Sequence, residues 1–255
     1  LRVTRSIIPN LFTLANLFCG FGSIVASADG DLDRAAVLIL LSGIFDALDG
    51  FVARLVNSTS EFGVELDSLC DAVSFGVAPS MMLWMAVFHE WLNWGLLLAA
   101  LPALLGVLRL ARFNVQLTSM EDKAYFRGMP IPAGALTVVS YIIFVHPSAM
   151  VPDEWKLWSA TGVVVLTSLA MVSTIKYDNL PRPSARSFRE RPFVFLVFFA
   201  GIVTIIATGG QALFPFMAFY IVGGAVRHVV YLFVTGGRDE SDDTIEESDP
   251  DPFSM

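Results

Sequence analysis

FDALDGFVARLVNSTSEFGVELDSLCDAVSFGVAP, residues 45–79, is the stretch that decides how this chain folds. Asp46 and Asp49 stand three apart inside an apolar run, and Asp67 and Asp71 stand four apart near the start of the next. On helices these spacings put each pair on one face. The connection between the runs is short, so the two helices are predicted to be antiparallel neighbours and the four acids to meet. An acid at mid-membrane costs about 2.5–3.5 kcal/mol on insertion scales. Two carboxylates at about 4 Å repel by roughly 4 kcal/mol even at an effective dielectric of 20. Arg54 is the basic residue close by in sequence. Either protons or metal ions must therefore neutralise the cluster. A proton relay of the kind found in coupled transporters answers the first case. In the second, hard oxygen donors suit Mg²⁺, Mn²⁺ or Ca²⁺ rather than zinc. Gly50 follows Asp49, and Gly63 lies four before Asp67. Both are read as points where a ligand nears the backbone. Gly43 and Gly76 read as helix-packing positions.

Outward from this stretch the chain stays apolar. Of its 255 residues, 55% are hydrophobic and 16% charged, and the mean hydropathy is +0.65. That balance excludes one soluble core and makes the bilayer the natural solvent. Apolar stretches near 7–28, 35–56, 64–88, 94–116, 130–147, 157–175, 193–208 and 211–235 predict about eight spans. The first is too long for a signal-peptide core and is read as a retained span. Strand-like alternation is not sustained anywhere, so the fold class is all-α, a polytopic membrane bundle. Residues 1–235 form the expected transmembrane domain. Residues 236–255 form an acidic, disordered cytosolic tail. The acidity of that tail argues against nucleic acid as a partner.

Eight spans put both termini on one side, and the basic residues test the count. Fourteen of the sixteen Lys and Arg then fall on the terminal side, and Arg34 and Lys156 on the other. By the positive-inside rule the termini are cytosolic, as is the end of the bundle that carries the acids. Cys19 and Cys70 lack metal-ligand neighbours and read as buried free thiols. His89, His146 and His228 read as interfacial.

The acids and their neighbours resemble a known family. Asp46, Asp49, Gly50, Ala53, Arg54, Gly63, Asp67 and Asp71 stand in the spacing D-x2-D-G-x2-A-R-x8-G-x3-D-x3-D. That is the complete signature of the CDP-alcohol phosphotransferases. The segments at Ile8–Gly20, Asp67–Pro79, Arg109–Asn114 and Phe126–Pro132 are similar to the family's bacterial and archaeal serine-using branch, which adds two helices to a six-helix core. The resemblance implies that Asp46, Asp49 and Asp67 hold two divalent ions. Asp71 would touch metal and act as general base. Pro9, Asn10, Thr13, Gly50, Arg54, Ser60 and Gly63 would line the site of a CDP-linked lipid, either CDP-diacylglycerol or CDP-archaeol. It also implies a homodimer in the cytoplasmic membrane. The donor's pyrophosphate favours metal over protons in the cluster, because an anion could not approach four bare carboxylates. The acceptor, L-serine, brings a carboxylate of its own. Arg109, Arg112, Asn114 and Arg127 are the candidates to bind it. Acceptors carrying a phosphate, such as glycerol 3-phosphate or inositol phosphate, are the alternative and need a more basic pocket.

Overall fold

The computed structural model describes residues 2–56, 60–118, 128–149, 151–175, 177 and 192–235. The tail at 236–255, Lys123, Arg127 and most of the basic loop before Pro192 lie outside these residues. Among the described residues there is no strand. The helices fall on the eight predicted stretches: α1 Arg2–Ala28, α2 Leu32–Leu55, α3 Glu61–Trp91, α4 Leu92–Thr118, α5 Ile131–Val145, α6 Asp153–Val172, α7 Pro192–Ala207 and α8 Leu213–Thr235. Six of them are long and apolar enough to cross a membrane. The other two, α5 and α7, are shorter apolar helices. The architecture is that of a polytopic membrane bundle.

Local chemistry sets the helix ends. After α1, Gly30 adopts φ +80°. Its N–H donates to the Ser27 carbonyl at 3.0 Å, and that of Asp31 to the Ala26 carbonyl at 2.9 Å. This is a Schellman ending, which needs a left-handed residue. Gly209 ends α7 in the same way, so the Thr208-Gly-Gly-Gln boundary between the last two predicted spans is a true turn. Asp31 then caps α2 through the Arg34 N–H, and Ser60 caps α3 through the Gly63 N–H at 3.0 Å. Within α4, Pro102 lacks a donor, and the next N–H, of Ala103, is taken by the Ser80 hydroxyl of α3 at 3.2 Å.

α3 is the central helix, packed by α1, α4 and α5, while α1 runs along α2, α6 packs on α4, and α8 packs on α5. Phe75, Ala78, Met82, Leu83 and Phe88 of α3 are buried core. Directly after Asp71 the α3 backbone widens into a π-helical segment, Ala72–Val77, a distortion frequent at functional sites.

Polarity in α1 is inverted relative to a soluble helix. Leu11, Leu14, Phe18, Phe21 and Val25 face outward, whereas Thr13, Asn16, Ser23 and Ser27 are buried. Lipid solvates the outer stripe, and the small inner residues let backbones approach closely. At Gly20 the approach is closest: a Cβ there would lie 2.7 Å from the Ser74 Cα. Gly20→Ala is therefore expected to lower stability by about 1–3 kcal/mol through overpacking. Gly162 has nothing within 4 Å of its Cβ position. Gly162→Ala should be neutral, or stabilising by about 0.5–1 kcal/mol. Thermal unfolding of the two variants in detergent checks the contrast.

Candidate active site

α2 carries Asp46 and Asp49 on its last turns, and α3 carries Asp67 and Asp71 on its first. Packing brings the two ends together as their spacing predicts. Each of Asp46, Asp49 and Asp67 offers a carboxylate oxygen, and these oxygens lie within 4.8 Å of one another. Asp49 and Asp71 are buried, at 7% and 8% exposure, while Asp46 and Asp67 are half-buried. Among the described residues, Asp49 Oδ2 and Asp67 Oδ1 are buried without a hydrogen-bond partner. An unsatisfied buried carboxylate oxygen is expensive. Two of them in one all-oxygen cluster are what a site for a hard divalent cation offers. The donor set fits such an ion.

Asp71 stands beside this trio. Its Oδ1 accepts a hydrogen bond from Asn16 Nδ2 of α1 at 3.1 Å. It lies close enough to feel the charges of Asp46, Asp67 and Asp49 together. α1 also contributes Thr13, whose hydroxyl donates to the Pro9 carbonyl at 3.2 Å and lies against Asp49. The Asn10 side chain reaches the start of α3, 3.8 Å from the Cβ position of Gly63. Pro9, Asn10 and Thr13 are thus gathered at the acidic end of the bundle.

The two glycines next to the acids differ. Gly50 has nothing within 4 Å of its Cβ position, so open space adjoins the backbone beside Asp49. At Gly63 a Cβ would press on the capping Ser60 hydroxyl, 3.1 Å away. Glycine at 63 therefore also serves the start of the helix. Ser60 spends its hydroxyl on that cap, and Arg54 is exposed on the last turn of α2.

The four residues named for an acceptor carboxylate separate. Arg109 is within electrostatic range of Asp71 and of Tyr220 of α8, and its guanidinium lies 5.7 Å from the centre of the Phe113 ring. Arg112 turns to the end of α6 and donates to the Val172 carbonyl at 3.1 Å. Asn114 ties α4 to α3, donating to Ser68 Oγ at 3.0 Å and to Glu65 Oε2 at 3.3 Å. Arg127 lies outside the described residues. Reading the sequence missed Asn16, Ser68 and Tyr220. A signal for Asn16 was present: an amide three residues after Thr13 in a run that is otherwise apolar or small.

Comparison with known proteins extends the local geometry to the whole chain. The sequence model of the CDP-alcohol phosphatidyltransferase family matches residues 6–175. A CDP-diacylglycerol–serine O-phosphatidyltransferase of Helicobacter pylori is 36% identical over 222 residues, covering 87% of this chain and 90% of that protein. The archaetidylserine synthase of Methanothermobacter thermautotrophicus is 36% identical over 176 residues, 68% of this chain and 70% of its own. A CDP-diacylglycerol–serine O-phosphatidyltransferase of Methanocaldococcus jannaschii is 37% identical over 174 residues, 68% of this chain and 75% of its own. With the family match running from the first span through α6, across all four acids, the chain belongs to the CDP-alcohol phosphatidyltransferase family.

Proposed function

We propose that this integral membrane protein transfers the phosphatidyl or archaetidyl group of a CDP-linked lipid to the hydroxyl of L-serine, releasing CMP. The observation that carries the reading is one arrangement: an open backbone at Gly50, a carboxylate trio beside it, and Asp71 within electrostatic reach of Arg109. Relatives named for serine-derived lipids of both the acyl and the archaeal ether type support the donor and acceptor classes.

Asp46, Asp49, Asp67 and Asp71 are proposed to hold two divalent ions, Mg²⁺ or Mn²⁺, with Ca²⁺ as the third candidate. What bound ions supply is Lewis-acid stabilisation of the pyrophosphate and a field reversed from negative to positive. The protein's own residues do the rest. Pro9, Asn10, Thr13, Gly50, Arg54, Ser60 and Gly63 line the nucleotide site. Arg109 pairs with the serine carboxylate. Asp71 takes the proton of the serine hydroxyl as that oxygen bonds to the lipid-bearing phosphorus. The bond from that phosphorus to the bridging oxygen breaks, and CMP leaves with the electron pair. One direct displacement suffices, because the serine hydroxyl is itself the nucleophile and the nearby Ser60 hydroxyl is engaged in capping α3.

This site would face the cytosol, with both termini, as the distribution of basic residues suggests. Soluble nucleotide and amino acid reach it there while the lipid chains stay in the bilayer. Residues 1–235 would be the catalytic domain and 236–255 a tail. The homodimer is tested by light scattering in detergent.

With purified protein, CMP release from CDP-diacylglycerol or CDP-archaeol is expected to require serine and a divalent ion. Silence with serine beside turnover of inositol phosphate or glycerol 3-phosphate overturns the acceptor. Asp71→Asn should lower kcat by roughly 10²–10⁴-fold, the usual contribution of a general base, with nucleotide binding retained. Arg109→Ala should weaken serine by about 1.5–3 kcal/mol, read as KM, the range for a hydrogen bond to a charged group. Asp67→Asn should raise the thermal midpoint of the chelated protein by relieving repulsion, and remove the stabilisation that saturating Mn²⁺ gives the native chain.

A further inference from the structure

One fully buried polar side chain has no role in the chemistry just described. Asn16 of α1 is 0% exposed. Its Nδ2 donates to Asp71 Oδ1 at 3.1 Å, while its own Oδ1 is buried without a partner among the described residues. Its backbone carbonyl accepts the Ser74 hydroxyl at 3.1 Å. Ser74 lies three residues beyond Asp71, in the π-helical segment. One residue of α1 therefore grips α3 twice, by its side chain at Asp71 and by its main chain at Ser74. Gly20, one turn further, lets α1 and α3 come close enough for both contacts.

Packing does not account for an asparagine here. Leucine has nearly the same shape and suits an apolar span, and what it would remove is the amide's hydrogen bond to the buried Asp71 oxygen. The amide's return is a single contact, and it falls on Asp71. Being neutral, it fixes the plane of the carboxylate without cancelling its charge, as an arginine or lysine in its place would.

We propose that Asn16 is a positioning residue: it holds one oxygen of Asp71 so that the other faces the acceptor hydroxyl. The inference rests on Asp71 as general base. Asn16 itself is too deeply buried to touch substrate and acts through Asp71.

The test is steady-state CMP release by full-length Asn16→Leu and Asn16→Ala, each with serine and CDP-diacylglycerol varied. Loss of the positioning bond should lower kcat on the order of 10²-fold, the penalty of a misplaced catalytic group. KM for the CDP-lipid should stay within about threefold, with the protein still folded. A purely structural role would instead weaken CDP-lipid binding along with turnover. Native kcat in either variant overturns the proposal. So does loss of CDP-lipid binding in both, since Asn16 would then serve the fold. Asp71→Asn in the same assay separates the two readings: if it turns over normally, the base assignment fails. If it is inactive while Asn16→Leu is fully active, only the positioning role fails.

Discussion

Four negative groups gathered where the surroundings are apolar form the constraint on which this protein is built. At short range and low dielectric their repulsion is large against the few kcal/mol by which a fold survives. The surroundings answer it piecemeal. Asn16 and Thr13 bring polar groups from α1 to Asp71 and Asp49, and Arg109 brings a positive charge from α4. Two oxygens are left with nothing among the described residues. Such partial compensation suits a site that a cationic, phosphate-bearing complex is meant to complete.

Scaffold and site share their parts. The polar inner face of α1 is both a packing surface and the source of Asn16 and Thr13. Ser60 starts α3 and thereby sets the turn on which Asp67 and Asp71 lie. The π-helical segment after Asp71 holds Ser74, whose bond to the Asn16 carbonyl fixes α1 against α3. α8 meets the same region through Tyr220, whose ring lies 5.5 Å from that of Tyr177 and which interacts with Arg109. A helix beyond the family-matched residues 6–175 thus comes within electrostatic range of Arg109.

Much of this was legible in the sequence, for physical reasons. Apolar runs of membrane length announce helices because the bilayer forces backbone groups to pair within the segment. The acids were legible because spacing of three and four residues fixes a common face, and because charge in such runs has few structural explanations. Other features were not legible. Arg109 and Arg112 looked equivalent, yet Arg112 donates to the Val172 carbonyl at the end of α6 while the Arg109 guanidinium lies by the Phe113 ring. Asn114 looked like a substrate ligand, and its bridge from α4 to α3 was not visible. The link from Asn16 to Asp71 spans 55 positions. Contacts of that kind depend on how whole helices dock, which local pattern does not encode.

The way α1, α2 and α3 follow one another has a consequence for biogenesis. Every acid of the cluster, and the amide that steadies Asp71, is encoded within the first three helices, joined by short connections. The acidic cluster can therefore come together while the ribosome is still making the rest of the chain. Later helices then close around a cluster that is already assembled, and Arg109 on α4 is the first cation to arrive from outside that nascent unit.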